Sequence, residues 1–244
     1  MTVTWEELGW ERLADGVGRC RLPGWDCTAG LVRGADAALM VDAGSSLAEG
    51  ARLRGAARRL AGRRVTHLAL THPHFDHVFG AAAFEGARVY GATGTGALFA
   101  PGGQEREALR VDATAEGLDA REAREAADAL VAVTHEVDGG RTLDLGGGRR
   151  VLLADVGPGH TGHDLAVLVP GTPAVVFCGD LVEESGAPQA GPDAVPARWP
   201  AALDRLLELG GDDALYVPGH GAVVDAAFVR AQRDALAARF GVSR

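Results

Sequence analysis

The chain has 244 residues, and 47% of them are hydrophobic, enough to bury a sizeable core in one generous domain or two closely packed halves. A net charge of −9 disfavours a broad electrostatic grip on nucleic acid, and no stretch approaches the roughly 20 apolar residues of a membrane span. Three cysteines, Cys20, Cys27 and Cys178, are odd in number and widely spaced, so they form no disulfide framework.

The N-terminal MTVTWEELGWERL is acidic and amphipathic and lacks the basic start and apolar run of a signal peptide, so a soluble cytoplasmic protein is expected. Residues 27–33 and 37–42 bracket the turn-like Gly34-Ala35-Asp36 and read as a hairpin. Residues 46–61 read as a helix, with Leu47, Leu53, Ala57 and Leu60 at helical spacing. Val65 to Leu70 reads as a buried strand, THPHFDH as a loop, Val78 to Phe84 as a helix, and Val89-Tyr90 as a short strand. Residues 104–133 are rich in Glu, Arg and Ala; their side-chain charges pair poorly, so alanine and leucine propensity is the expected source of helix. They form the heart of a mostly helical insertion at about 95–136, a candidate lid. Strands are expected at 149–156, 165–169, 174–178 and 215–217, with helices at 200–209, opened by Pro200, and at 224–240. No short-period repeat is present, which excludes a solenoid.

Five of the eight histidines fall in three places, each after an apolar run: His72-Pro73-His74-Phe75-Asp76-His77, Gly159-His160-Thr161, and Pro218-Gly219-His220-Gly221. A carboxylate ends a fourth run, at Phe177-Cys178-Gly179-Asp180. If these strand ends share one edge of packed sheets, imidazoles and carboxylates converge, and those are the ligands of catalytic zinc. One histidine at a strand end is usually an ordinary polar surface residue. Four such clusters bring no packing benefit and point to metal.

These residues resemble the motifs of the metallo-β-lactamase superfamily. His72, His74, Asp76 and His77 match its HxHxDH motif, and Asp42 in Val41-Asp42-Ala43-Gly44 matches its first motif. Gly159-His160-Thr161-Gly162-His163 is similar to GHTxGH but has one residue fewer before the second histidine. Gly179-Asp180 and Gly219-His220-Gly221 match the fourth and fifth, in family order. The resemblance implies an α/β fold, a four-layer αβ/βα sandwich in a single domain. It implies two metal ions, zinc by default with iron or manganese as alternatives. His72, His74 and His160 would hold the first, and Asp76, His77 and His220 the second, with Asp180 bridging. Asp42 would orient the histidine loop, and His163 would act as a hydrogen-bonding partner rather than a ligand. Asp76 and Asp180 are then the catalytic candidates, although ligation makes Asp76 a poor independent base.

The implied activity is hydrolysis of a small ester, thioester, lactone or lactam by a hydroxide shared between the metals. Trp25, Phe75 and Trp199 are candidates for an apolar substrate wall, while Phe79 and Cys178 read as core, and His67 and His135 as structural or exposed. Only 24 residues follow His220, which speaks against a glutathione-gripping helical domain of the glyoxalase II kind. A persulfide dioxygenase-like oxidoreductase with one iron at His72, His160 and Asp180 is an alternative, as is a non-catalytic metal-binding scaffold. The expected partner is a small-molecule substrate, with no nucleic acid and no membrane, and a homodimer remains open.

Overall fold

The structure is a computed structural model that describes residues 3–100 and 104–242. In chain order the elements are β1 (Glu11–Ala14), β2 (Val17–Arg21), β3 (Thr28–Arg33), β4 (Ala38–Val41), α1 (Leu47–Ala61), β5 (His67–Ala69), α2 (Phe75–Val78), β6 (Arg88–Ala92), α3 (Thr95–Leu98), α4 (Gln104–Ala115) and α5 (Ala120–Asp128). There follow β7 (His135–Val137), β8 (Gly140–Asp144), β9 (Arg150–Asp155), β10 (Leu165–Val169), β11 (Val175–Glu183), α6 (Trp199–Gly210), β12 (Leu215–His220) and α7 (Ala226–Phe240).

Two sheets form. The first has seven strands in the order β1 to β7, antiparallel through β4 and parallel from β4 onward. The second has five, ordered β12-β11-β10-β9-β8, with only the β11–β12 pair parallel. Alternation along the strands assigns each face. On β4, Leu39 and Val41 face the other sheet while Ala38 and Met40 face helices. On β11, Val175 and Phe177 face the first sheet while Val176 pairs with the helical side. Both faces of these strands are buried, so they read as continuous apolar runs rather than alternating ones. The inter-sheet core holds Val32, Leu39, Tyr90, Leu153, Val167 and Phe177. Helices α1, α4 and α5 cover the outer face of the first sheet, and α6 and α7 that of the second, giving four layers, helix–sheet–sheet–helix. Gly30 permits the sheets' closest approach: a Cβ there would sit 2.4 Å from the Phe177 ring.

Helix ends follow local chemistry. Ser46 caps α1 by accepting from the Glu49 N–H, and the Glu49 carboxylate reaches back to the Ser45 N–H and hydroxyl. Gly62 closes the same helix in the left-handed conformation. Asp225 caps α7 by accepting from the Phe228 N–H.

Several sequence expectations are corrected. The helix expected at 78–84 is instead the turn α2, which starts inside the histidine motif, followed by a 3₁₀ turn at Ala81–Phe84. Residues 135–136 belong to β7, which pairs with β6, so the helical part of the 95–136 stretch ends at Asp128. Charge pairs do support its helices: Arg110 binds Glu107 and Arg121 binds Glu125, spaced three and four apart. Among the described residues no helix is long and apolar enough to cross a membrane.

Candidate metal centre

The two sheets deliver their strand ends to one edge, and the candidate ligands meet there. His72 follows β5, His160 follows β9, Asp180 lies on β11, and His220 ends β12. One ligand atom from each of His72, His74, His160 and Asp180 lies within 4.8 Å of the others, and the same holds for Asp76, His77 and His220. Asp180 stands between the groups: its Oδ2 is 3.5 Å from His72 Nε2, 3.6 Å from His160 Nε2 and 3.2 Å from His220 Nε2, while its Oδ1 is 3.2 Å from His77 Nε2.

A kink in β11 aims Asp180. The ladder with β12 shifts register between Phe177 and Gly179, and Gly179 takes a φ of +55°. Two-residue spacing on a strand would put Cys178 and Asp180 on one face. The shift breaks that relation, leaving Cys178 in the helix-side core, where burial pushes its thiol up, while Asp180 enters the metal centre. Gly219 admits the carboxylate, since a Cβ there would lie 1.7 Å from Asp180 Oδ1.

Each of the five imidazoles has one nitrogen tied and the other facing the cluster. His77 Nδ1 bonds Asp42 at 2.9 Å, and His72 Nδ1 is 3.0 Å from the Thr71 hydroxyl, which itself donates to Asp42 at 2.7 Å. His74 donates Nε2 to Asp193 at 3.1 Å, His160 donates Nδ1 to the Gln189 carbonyl at 3.1 Å, and His220 donates Nδ1 to the Trp25 carbonyl at 2.7 Å. Such outer bonds fix tautomer and ring orientation in metal sites. One carboxylate, Asp42, thereby positions a histidine in each group. Its φ of 57° is left-handed, a conformation that aspartate tolerates better than most residues.

Charge is divided across the cluster. Burial drives His72 well below the usual imidazole range and brings His160 to about 4, so both are neutral and ready to donate lone pairs. Burial also opposes protonation of His77 and His220, but Asp180 and Asp76 outweigh it, and His220 rises to about 11. Ligand binding there displaces protons. His72 Nε2 and Asp180 Oδ1 are buried with no hydrogen-bond partner among the described residues. A buried imidazole nitrogen with no hydrogen bond, 3.5 Å from Asp180 Oδ2, is costly in a plain core, and a cation held among His72, His77 and Asp180 would satisfy it. The donor set of imidazoles and carboxylates suits zinc, iron or manganese.

Beside the cluster opens a cavity of about 780 Å³, within the usual size for a small-molecule site. Trp25 and Phe75 line it and meet edge to face with centroids 5.3 Å apart. Trp199 does not line it. That indole is fully buried, donates to the Leu181 carbonyl at 3.0 Å, and backs His160 at 5.3 Å, so it packs behind a candidate ligand and not on the cavity surface. His163 is a hydrogen-bonding partner, as expected, but not to a candidate ligand. It bonds the Thr93 carbonyl at 2.7 Å, away from the cluster, and the next residue, Asp164, does the local work by accepting from the Thr161 N–H and hydroxyl. Phe79 is buried in the core, and His67 stacks on Tyr90.

Sequence reasoning missed Asp193, Gln189 and the α4 face. Asp193 and Gln189 sit in an aperiodic loop with no signal to find. Glu105 and Asp112, which line the cavity from α4, were legible as a seven-residue spacing on one helical face.

Comparison with known proteins agrees with this geometry. The family model described as the metallo-beta-lactamase superfamily matches residues 22–220. A hydroxyacylglutathione hydrolase from Cupriavidus metallidurans is 41% identical over 61 residues, 24% of this chain, and the match spans only 23% of that protein's length. The metallo-beta-lactamase FIM-1 from Pseudomonas aeruginosa, solved in a mono-zinc form, is 19% identical with a TM-score of 0.68, covering 95% of both chains. A metallo-beta-lactamase from Pontibacter korlensis is 20% identical with a TM-score of 0.70, covering 93% of this chain and 97% of the other. At these identities the solved structures speak for the fold alone, but the family model spans most of the sequence and every motif cluster within it: the chain belongs to the metallo-β-lactamase superfamily.

Proposed function

We propose that the protein is a binuclear-metal hydrolase of a small ester, thioester, lactone or lactam. One observation carries the reading: five imidazoles with tied outer nitrogens converge with Asp76 and Asp180 beside an open cavity. His72, His74 and His160 would hold one ion and Asp76, His77 and His220 the other, with Asp180 shared. Divalent ions supply Lewis acidity and a nucleophile at neutral pH, so no serine or cysteine nucleophile is required. The chain's own residues prepare the site for that chemistry. Asp42 holds His72, through Thr71, and His77 in fixed orientation, so little reorganisation is needed when charge develops on a substrate oxygen. Trp25 and Phe75 give the cavity an apolar wall that excludes water beside the reacting group.

The complete second ligand group favours two ions over a single iron, which would leave Asp76, His77 and His220 unused. The test is elemental analysis of purified protein together with turnover of a panel of esters, thioesters, lactones and β-lactams. About two equivalents of zinc or manganese with hydrolysis of at least one class is the expected result. Asp180→Ala is expected to lower metal content and abolish turnover. One iron per chain, no second metal and no hydrolysis would sink the reading.

A further inference from the structure

The wall of the cavity opposite the cluster is built by α4, and its chemistry is one-sided. Glu105, Leu109 and Asp112 follow one another at steps of four and three residues and share one face of α4, Glu116 comes four residues later just past its end, and all four line the cavity. The helix's cations point elsewhere. Arg106 donates to the carbonyls of Phe99, Ala127 and Leu130, and Arg110 is bound to Glu107 on another face. Among the described residues no arginine lines the cavity, and its only basic side chains are the candidate ligands His74 and His160. Among the described residues Glu105, Asp112 and Glu116 form no ion pair.

This arrangement costs the helix stability. Asp112 and Glu116 crowd the C-terminal end of α4, where the helix dipole disfavours negative charge and no basic residue compensates. Burial raises the carboxyl pKa of Glu105 and of Asp112; Asp193 adds to it for Glu105, and for Asp112 His74 offsets part of the rise while Asp76 adds to it. Glu105 is half-buried, and Asp112 and Glu116 are exposed at the rim, so three acids without an ion-pair partner among the described residues stand along one wall of the cavity, where a cationic ligand would supply the missing partner. The apolar share of the wall comes from Trp25, Phe75, Ala108, Leu109 and Pro192.

Resting on the hydrolase reading above, we infer that the cavity selects acyl substrates with an apolar body and a cationic group, of the ammonium or guanidinium kind, at the end remote from the scissile bond. The reacting oxygen lies toward the ligand cluster and the cation toward Glu105 and Asp112, with the apolar body between them against Trp25 and Leu109. A substrate with a carboxylate at that remote end meets repulsion. Glutathione thioesters carry two carboxylates against a single ammonium, a net negative charge, and fall in the disfavoured class.

The test uses metal-loaded protein and three 4-nitrophenyl esters of equal chain length that differ only at the far end: trimethylammonium, tert-butyl and carboxylate. The ammonium and tert-butyl esters have the same shape, so their ratio reads charge alone. The expected order of kcat/KM is ammonium, then tert-butyl, then carboxylate. The first ratio should be about tenfold, as several partly screened charge contacts give, and expressed mainly in KM. Raising NaCl from about 0.1 M to about 1 M should shrink it, because the screening length falls from about 10 Å to about 3 Å. The double variant E105Q/D112N should bring the ratio close to one, whereas E107Q, on another face of the same helix, should leave it unchanged. Calorimetric titration with hexyltrimethylammonium and with hexanol gives a reading independent of turnover, and the ammonium should bind about tenfold tighter. A carboxylate ester turned over as well as the ammonium ester, or a ratio unmoved in E105Q/D112N, overturns the inference and leaves the hydrolase reading intact. Failure to hydrolyse any of the three counts against the hydrolase reading, and the titration then decides the inference by itself.

Discussion

Asp42 is a small residue with wide reach. It accepts from the Thr71 N–H and hydroxyl and from His77, and through the Thr71 hydroxyl it also governs His72. Asp42→Asn keeps the left-handed backbone but replaces one acceptor oxygen by a donor that faces other donors. Metal affinity is expected to fall about 10- to 100-fold, measured by competition with a chromophoric chelator. Unchanged affinity would remove Asp42 from the orienting role. Asp164 makes a different prediction. Burial overrides its bonds from Thr161 and lifts its carboxyl to about 7. From about pH 4 to about pH 7 the folded chain therefore keeps a proton that the unfolded chain has released, and stability falls as pH rises through that window, then levels off. Urea unfolding of metal-free protein should show an advantage of the parent over Asp164→Asn that is larger at about pH 4.5 than at about pH 8, by up to about 3 kcal/mol. A pH-independent difference would mean that Asp164 titrates near the ordinary carboxylate value.

At the scale of elements, α4 and α5 depend on one side chain. The Arg106 guanidinium donates to the Ala127 carbonyl at 2.9 Å, Leu130 at 2.7 Å and Phe99 at 3.1 Å, gathering the ends of three segments. Hydrogen bonds from a charged group contribute about 1.5–3 kcal/mol each when the alternative is an unsatisfied partner. Arg106→Ala should speed amide exchange across residues 104–130 while leaving metal content unchanged. Loss of metal in that variant would show that the helical insertion and the ligand cluster do not stand apart. The strands were legible for a physical reason. Runs such as Leu165–Val169 are buried on both faces and carry a continuous apolar signature. Strands β1 and β2 carried none, because Glu11–Ala14 lies at the sheet edge with mixed exposure and Gly18 and Arg19 interrupt β2. The convergence of the candidate ligands was legible because seven chemically reactive side chains recur at or just after strand ends. Trp199 misled because an indole near Asp180 in sequence can stand behind a ligand as readily as in front of it, and sequence does not encode which side of a loop faces solvent. The residues that hold the outer nitrogens of His74 and His160 were invisible, since Asp193 and the Gln189 carbonyl reach them through loop geometry alone.

For the whole molecule, the cluster is a fastening between the two halves. His72, His74, Asp76 and His77 follow the first sheet's strand β5, while His160, Asp180 and His220 come from the second sheet. Ions bound only by the folded chain stabilise it by about 2.7 kcal/mol at a hundredfold excess over Kd. For a chain of this length that corresponds to about 5–10 °C in Tm. Removing metal with a chelator should lower the Tm by that amount in differential scanning calorimetry, and zinc should restore it. An unchanged Tm would mean that no ion ties the halves together.

The outer wall of the cavity is contributed by the α4 face, whereas the cluster on the inner side is contributed by strand ends. On the proposed reading, charge selection by α4 and the reacting cluster sit on separate stretches of chain, the helical cassette lying between neighbouring strands β6 and β7 of the first sheet, while Trp25 and Phe75 join the two. If that reading holds, such a division would let the cassette drift, lengthen or be exchanged under selection for a new substrate while the strand-end cluster is inherited untouched.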